Sequence, residues 1–442
     1  MLRGPSDPTL SPPLSLRGER EGAGVRPSRI FYGWWVTLAF SVAVFLSNGL
    51  RFAIGPFLKP IVADLGIDRA SFSLVIALSL LLYGVFMPLV GLLADRLGAR
   101  LVTVVGTVLL AAAIAGTGLV THLWQLYLVY GVAVALGLAA TGHVVASAVI
   151  SRWFIRRRAT ALSVIGGASM AGMSALVPVA MWLILAAGWR ATYGIMAGAT
   201  LVLTVPLILW LVRESPESMG LTPDGAPAGA RGRGAGAEQT PIGAAVQTLP
   251  FWQLCGGMYT CGFSMSLLAA HGVPMLTDHG YHSMTASWAM GVLGASSMVG
   301  AMLLGAIADR LGRRPVLAWL YATRAILFTA LFLVHDRPGA LLLIAALGGA
   351  SMSGSMAMTS ALTADIFGRF SVGSIFGSIF LIHQAGAATG SWLGGFLFEQ
   401  SGGYGLVFGI ACTQLLVGAV VSLAIDDRAR CAATPVPVAG GR

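Results

Sequence analysis

The residues that could do chemistry in this sequence are few and stand in unusual surroundings. Arg51 lies inside an apolar run, with Asn48 one helical turn earlier on the same face. A lone arginine in hydrocarbon costs at least about 2.5 to 3.5 kcal/mol on insertion scales, so it faces a cavity, a partner or the polar edge of a bilayer. Those settings predict, in turn, a contact to an anion, a structural or gating pair, and simple solvation. Arg324, the second arginine in an apolar run, reads as structural. His143, His271 and His383 also sit in apolar runs, and His271 shares a helical face with Thr260 and Ser264. An imidazole titrates near neutral pH and can exchange a proton there, although a lone helix histidine serves equally as a hydrogen-bonded packing residue. Asp95, Asp309 and Asp365 fall only at the ends of such runs, which argues against a membrane-buried carboxylate as proton carrier.

Other chemistries lack their residues. The cysteines, Cys255, Cys261, Cys412 and Cys431, have no metal-ligand spacing, so neither a metal nor a disulfide framework is expected. Lys59 is the sole lysine, and no Gly-x-x-x-x-Gly-Lys loop exists to cradle ATP phosphates. No nucleophile, base and orienting group come together in a pattern that predicts an enzyme or a cofactor. A polar stretch from Ser351 to Ser360, which includes Ser355, predicts either close helix packing through small residues or a cavity wall of hydroxyls. Tyr259 and Trp252 could add an aromatic wall.

Such side chains need elements that cross a membrane. Of 442 residues, 56% are hydrophobic and only 10% charged, against about 25% charged in an ordinary soluble domain. The apolar residues fall into segments of roughly 20, enough to cross about 30 Å of hydrocarbon at 1.5 Å per residue. Bounded by glycine, proline or charge, they predict twelve transmembrane helices in an all-α membrane protein. Six belong to a bundle over residues 30–213 and six to a bundle over 248–427. Residues 214–247, dense in Gly, Pro and Ala, cannot bury enough surface to fold and predict a cytoplasmic linker. Residues 1–29 have no apolar h-region and predict a disordered tail, neither signal peptide nor span, whose translation N-terminal sequencing would test. Residues 428–442 form a short C-terminal tail.

The formal charge of +10 is scattered through short connectors and makes no single basic face, so a lipid bilayer and not nucleic acid is the predicted partner. With both termini inside, the inner segments carry 21 Lys and Arg and the outer segments four: Lys59, Arg69, Arg190 and Arg337. The positive-inside rule therefore places both termini in the cytoplasm, for a multi-pass protein of the bacterial inner membrane.

The two halves repeat. Gly91-Leu-Leu-Ala-Asp95-Arg96-Leu-Gly98-Ala-Arg100 recurs as Gly305-Ala-Ile-Ala-Asp309-Arg310-Leu-Gly312-Arg-Arg314 at an offset of 214 residues, which also pairs Gly172 with Gly386 and Gly188 with Gly402. On these residues the chain resembles the major facilitator superfamily over roughly residues 30 to 427. That resemblance implies that Gly91, Asp95, Arg96, Gly98, Arg100 and their partners Gly305, Asp309, Arg310, Gly312, Arg314 latch the cytoplasmic side of the bundles without touching substrate. It also implies that the first, fourth, seventh and tenth spans line a central cavity.

Finer motifs resemble the monocarboxylate transporter and oxalate/formate antiporter branch: Tyr32-Gly33-Trp34-Trp35, Arg152-Trp153-Phe154-x-x-Arg157-Arg158, His271-x-x-Pro274 and His383-Gln384-x-Gly386. Relatives of that kind place an arginine in the eighth span where this chain has Ala301, which moves the expectation for a substrate cation to Arg51. The resemblance implies a monomeric secondary transporter of a small carboxylate, driven by proton symport or exchange with a counter-anion. Substrate contacts are expected at Arg51, Asn48, Tyr259, Ser264, His271 and Ser355, and proton coupling at His271, His383 or His143. Efflux of a neutral or hydrophobic compound is the alternative, supported by Ala301.

Overall fold

A computed structural model describes residues 31–155, 157–223, 240–352, 354–368 and 372–426 of the chain. The described residues fold as helices joined by short loops. Their order is α1 (Gly33–Phe52), α2 (Ile54–Leu65), α3 (Arg69–Leu97), α4 (Ala99–Thr117), α5 (Leu123–Leu126), a π segment (Tyr127–Val134), α6 (Ala135–Thr141), α7 (His143–Trp153) and α8 (Arg158–Leu211). The second half runs α9 (Ile242–Ala245), α10 (Leu249–Asp278), α11 (Ser283–Leu311), α12 (Arg313–Leu333), α13 (Pro338–Met352), α14 (Gly354–Phe367), α15 (Val372–Ser401) and α16 (Gly405–Leu423). Helix α8, 54 residues long, turns back at Gly188 (φ 80°), so it crosses the layer twice. With α1–α2 and α5–α7 each forming one interrupted crossing, and with α13 and α14, which flank residue 353 outside the described residues, counted as one, the order accommodates twelve crossings in two bundles of six.

The sequence repeat is a structural repeat. Helices α3 and α11 both span 29 residues and start at side-chain caps 214 positions apart, Asp68 accepting from Ser71 N and His282 accepting from Met284 N. Both end at glycines with positive φ, Gly98 (91°) and Gly312 (89°), a conformation that costs glycine little and lets α4 and α12 begin at once. In each bundle a pair of helices related by the repeat meets backbone to backbone. A Cβ at Gly172 would fall 2.1 Å from the Phe45 carbonyl oxygen, and one at Gly386 would fall 2.1 Å from the Tyr259 carbonyl oxygen. Phe45 and Tyr259 are again 214 residues apart, so α8 packs on α1 as α15 packs on α10.

The bundles meet along two seams, α3 against α15 and the first half of α8 against α11. Gly84 lies against the Gln384 side chain in one seam, and Gly291 and Gly294 against Ser174 in the other. Helix α2 adds a contact near one end, where Gly55 faces the Ala269 carbonyl of α10. The linker is tied at both of its described ends: Glu214 caps the N-terminus of α4, and Thr240 donates to the Phe367 carbonyl. Residues 224–239, in the middle of the predicted linker, and the predicted tails 1–29 and 428–442 lie outside the described residues.

Candidate functional site

Arg51 sits in the last turn of α1, two residues before the axis breaks at Ala53 (φ −75°, ψ 5°). The break turns the guanidinium toward the interface between the bundles. There it stands 4.8 Å from the Tyr83 ring and 5.7 Å from the Phe52 ring, and its Nη2 donates a long hydrogen bond of 3.5 Å to Gln384 Oε1 across the seam. Tyr130, held by the π segment, and His143, the first residue after the break at Gly142, lie within electrostatic reach of it. Among the described residues no carboxylate comes within ion-pair distance of Arg51.

A cavity opens beside this arginine, lined by α1–α2, α3, α10 and α15. His383 joins it from the opposite bundle. Its Nδ1 donates to Gln384 Oε1 at 3.0 Å, because that oxygen only accepts while Gln384 Nε2 donates to the Leu80 carbonyl. In the neutral ring Nε2 is thereby the free acceptor. It is buried beside the Cys261 thiol and makes no hydrogen bond of ordinary geometry among the described residues. Ser266 is the other polar side chain of the lining.

Arg324 organises a second buried cluster. It faces the carbonyls of Ser351 and Met352 in the tenth crossing. Arg324 Nη2 donates to both, at 2.6 and 2.7 Å, and to Ser355 Oγ at 3.2 Å. Its Nη1 reaches Ser264 Oγ and Cys261 Sγ, each at 3.4 Å. Ser264 and Ser355, expected as substrate contacts, therefore serve this arginine. Tyr259 is half-buried with its carbonyl against Gly386, Asn48 Nδ2 donates to the Val44 carbonyl of its own helix, and Trp252 is exposed.

His271 belongs to neither cluster. It is fully buried between α10, α15 and the start of α16, where Nε2 donates to the Ser391 carbonyl (2.8 Å) and Nδ1 accepts from Tyr404 OH (3.3 Å); Ser73 Oγ of α3 lies 3.3 Å from Nε2. Tyr404 in turn accepts from Arg69 Nη1 at 2.9 Å. This chain of bonds leads to a clamp at the end of the molecule opposite the described chain ends, Phe31 and Asp426. Asp278, the last residue of α10, accepts from Lys59 (2.6 Å) and from Arg69 (2.6 Å), both of the other bundle, while Arg69 N donates to Glu399 Oε1 (2.9 Å). The Arg69 guanidinium also lies 3.9 Å over the Phe398 ring. Burial opposes ionisation of Asp278, but the hydrogen bonds from Arg69 and Lys59 outweigh it and hold the carboxyl below its ordinary range. Sequence reasoning passed over this clamp; a lysine used only once, at the end of a span, was its available signal.

The repeated motif lies at the opposite end. Asp95 Oδ1 accepts from Arg152 Nη2 (3.1 Å), Arg152 also approaches Glu214 (3.6 Å), and Glu214 accepts from the backbone N–H of Ala99 and Arg100. Glu214, not Asp95, is thus the carboxylate at the N-terminus of α4, where the helix dipole favours negative charge. Gly98 leaves room for it: a Cβ there would fall 2.6 Å from Glu214 Oε1. Arg100 donates to the Leu209 carbonyl, Gly91 packs near Val144, and Arg96 is exposed. In this structure the first copy is tied within its own bundle. In the second copy Arg310 is exposed and Arg314 donates to the Ile425 carbonyl, whereas the side chains at Gly305 and Asp309, like that of Ala301, lie outside the described residues.

The sequence profile of the Major Facilitator Superfamily matches residues 40–270 and 254–440, one match per half. The chain is 26% identical over 409 residues to an uncharacterized MFS-type transporter, YcxA, of Bacillus subtilis, which covers 88% of this chain and 94% of that protein. It is 24% identical over 407 residues to monocarboxylate transporter 13 of Rattus norvegicus, covering 90% of each. Among solved structures, a bacterial homologue of the human lysosomal transporter Spinster superposes with a TM-score of 0.66 at 18% identity, covering 91% of this chain and 97% of that one.

Proposed function

The chain belongs to the major facilitator superfamily, and from that premise we propose that it carries a small organic anion of the monocarboxylate kind across the bacterial inner membrane. It is a multi-pass membrane transporter and not an enzyme. The observation that carries the anion reading is Arg51: a guanidinium without a carboxylate partner among the described residues, beside a cavity at the meeting of the bundles. A desolvated charge without a partner is costly, so the site gains free energy when a carboxylate enters. Similarity to monocarboxylate transporter 13 supports the same substrate class.

Alternating access is the mechanism such a pair of bundles serves: they rock about a central site that opens to one side at a time. With the termini cytoplasmic, as the arginine distribution favours, the Lys59–Asp278–Arg69 clamp seals the periplasmic end in the state observed. Coupling is to a proton or a counter-anion. His383, which lines the cavity, is better placed for the proton than His271, whose two ring nitrogens are already bonded. The apolar share of the cavity wall favours a second reading, efflux of a neutral hydrophobic compound.

Proteoliposome uptake of labelled lactate, pyruvate, butyrate, formate and oxalate, with an imposed proton gradient or an internal counter-anion, separates the two. Carriage of at least one anion is expected, with Arg51→Ala weakening its apparent affinity by about 10- to 100-fold, the worth of one charge-assisted contact. Failure of all these anions together with export of hydrophobic compounds would sink the anion reading.

A further inference from the structure

Two sulfurs and an imidazole nitrogen meet where α10 packs on α15. Cys261 Sγ and Met265 Sδ, one helical turn apart on α10, stand 3.8 Å from each other. The His383 ring of α15 lies against the thiol, with Nε2 buried and without a hydrogen bond of ordinary geometry among the described residues. The two helices touch through their backbones here, since a Cβ at Gly262 would fall 2.0 Å from the His383 carbonyl oxygen, so the three groups are held on a rigid frame. We infer that Cys261, Met265 and His383 form a binding site for a soft monovalent metal ion, copper(I), reached from the cavity that Met265 and His383 line. Cysteine spacing along the sequence is silent on such a site, because two of its ligands are not cysteines and one comes from a different helix.

Geometry, tautomer and charge each fit that ion. A metal–sulfur bond is about 2.3 Å long, so two sulfurs 3.8 Å apart share one ion at an angle of about 110°. Thiolate and thioether are the donors that select copper(I) over harder ions. The Nδ1 proton of His383 is held by Gln384 Oε1, which leaves the lone pair on Nε2, the usual arrangement of a ligating histidine. Cys261 Sγ also lies 3.1 Å from Ser355 Oγ and accepts from Arg324 Nη1 at 3.4 Å, contacts that a metal-bound thiolate retains. The charged and titratable groups facing the thiol are His383 of α15 and Arg324 and Tyr321 of α12, and no carboxylate joins them among the described residues. Copper(I) displaces the thiol proton to the medium, one positive charge for another, so the buried charge of the cluster does not change. A divalent ion such as zinc(II) would add a charge without a partner, which a buried site resists.

The test is titration of the tag-free, detergent-purified full chain with copper(I), kept reduced by ascorbate under nitrogen and competed against bicinchoninate. Serine replaces Cys255, Cys412 and Cys431 in the background, so that Cys261 is the remaining thiol. One ion per chain is expected, with about one proton released. Cys261→Ser should weaken binding by at least about a hundred-fold, and His383→Gln and Met265→Leu by about ten-fold or more each. Zinc(II) should bind at least about a hundred-fold more weakly than copper(I). Met265→Leu, nearly equal in volume, serves if the changes at Cys261 or His383 lower the yield of folded protein. Loss of the ion from the serine background places it on another thiol and overturns the site. Undiminished affinity in His383→Gln or in Met265→Leu reduces it to an adventitious thiol adduct, and zinc(II) binding as tightly as copper(I) refutes the charge argument; either result overturns the inference.

Discussion

Two arginines occupy apolar helices of this protein, and their surroundings divide their roles. Arg324 spends its donors on Ser351 and Met352 carbonyls and on Ser264 and Ser355 hydroxyls, all within one bundle. Arg51 makes one long bond, to a glutamine of the other bundle. Sequence separated an interior arginine from a structural one only by which span each belongs to; the donors' partners come from residues up to 333 positions away. Ser264 and Ser355, expected as substrate contacts, bond Arg324 in this structure, a meeting across 60 and 31 positions that helical spacing alone does not reveal. Arg324→Leu should strand those acceptors, lowering stability in a thermal melt of detergent-purified protein by about 1 to 3 kcal/mol, while the folded fraction keeps its affinity for the carried anion. A loss of affinity as large as that of Arg51→Ala would place Arg324 in the substrate site instead.

Element by element, the repeat extends well beyond the motif that revealed it. The caps at Asp68 and His282, the positive-φ exits at Gly98 and Gly312, and the close contacts of Gly172 and Gly386 all keep the 214-residue offset. Glycine at the last two positions is a steric requirement, because a Cβ meets backbone, which cannot move aside as a side chain can. Gly386→Ala should therefore force α15 away from α10 and sharply reduce the yield of folded protein, and Gly172→Ala should do the same between α8 and α1. Gly377→Ala is the control: no atom stands within 4 Å of its would-be Cβ. Equal yields by fluorescence-detected size-exclusion chromatography for all three would refute the packing argument. The breaks at Ala53 and Gly142 had a local signal, since Pro56 has no N–H to donate back to Phe52 and glycine weakens a helix, whereas no proline or charge marks the π segment.

At the scale of the whole molecule, the clamp ties the two bundles together at one end. Asp278 joins Lys59 and Arg69 across the bundles, and Asp278→Asn should weaken both pairs. In a background with the native cysteines replaced, a cysteine at Ala269 should then react faster with a membrane-impermeant thiol reagent added from the clamp side; an unchanged rate would show that the clamp does not hold that end shut. The pH dependence has a definite sign. A carboxyl held below its ordinary value of about 3.9 stays ionised above it, so the clamp is fully present above roughly pH 4 and is lost as pH falls through the lowered value. The ratio of labelling rates between the Asp278→Asn variant and the native clamp, in which the thiol's own ionisation cancels, should consequently be flat between about pH 5 and 8.

Composition, the apolar segments and the duplicated motif determined by themselves an all-α membrane protein of two repeated bundles, because membrane crossing and duplication are written in local hydrophobicity and in a fixed offset; transport followed from the motif's resemblance to a family. Arg51 was legible too, since an arginine in an apolar run is anomalous wherever the helix points. The partners of each polar side chain were not. Lys59 meets Asp278 across 219 positions and His271 meets Tyr404 across 133, and such meetings depend on which helix faces turn toward each other when the bundles dock. Hydrophobic periodicity is silent on that question when helices are apolar all round, so only the tertiary structure decided which polar groups bind each other and which remain free to bind a substrate.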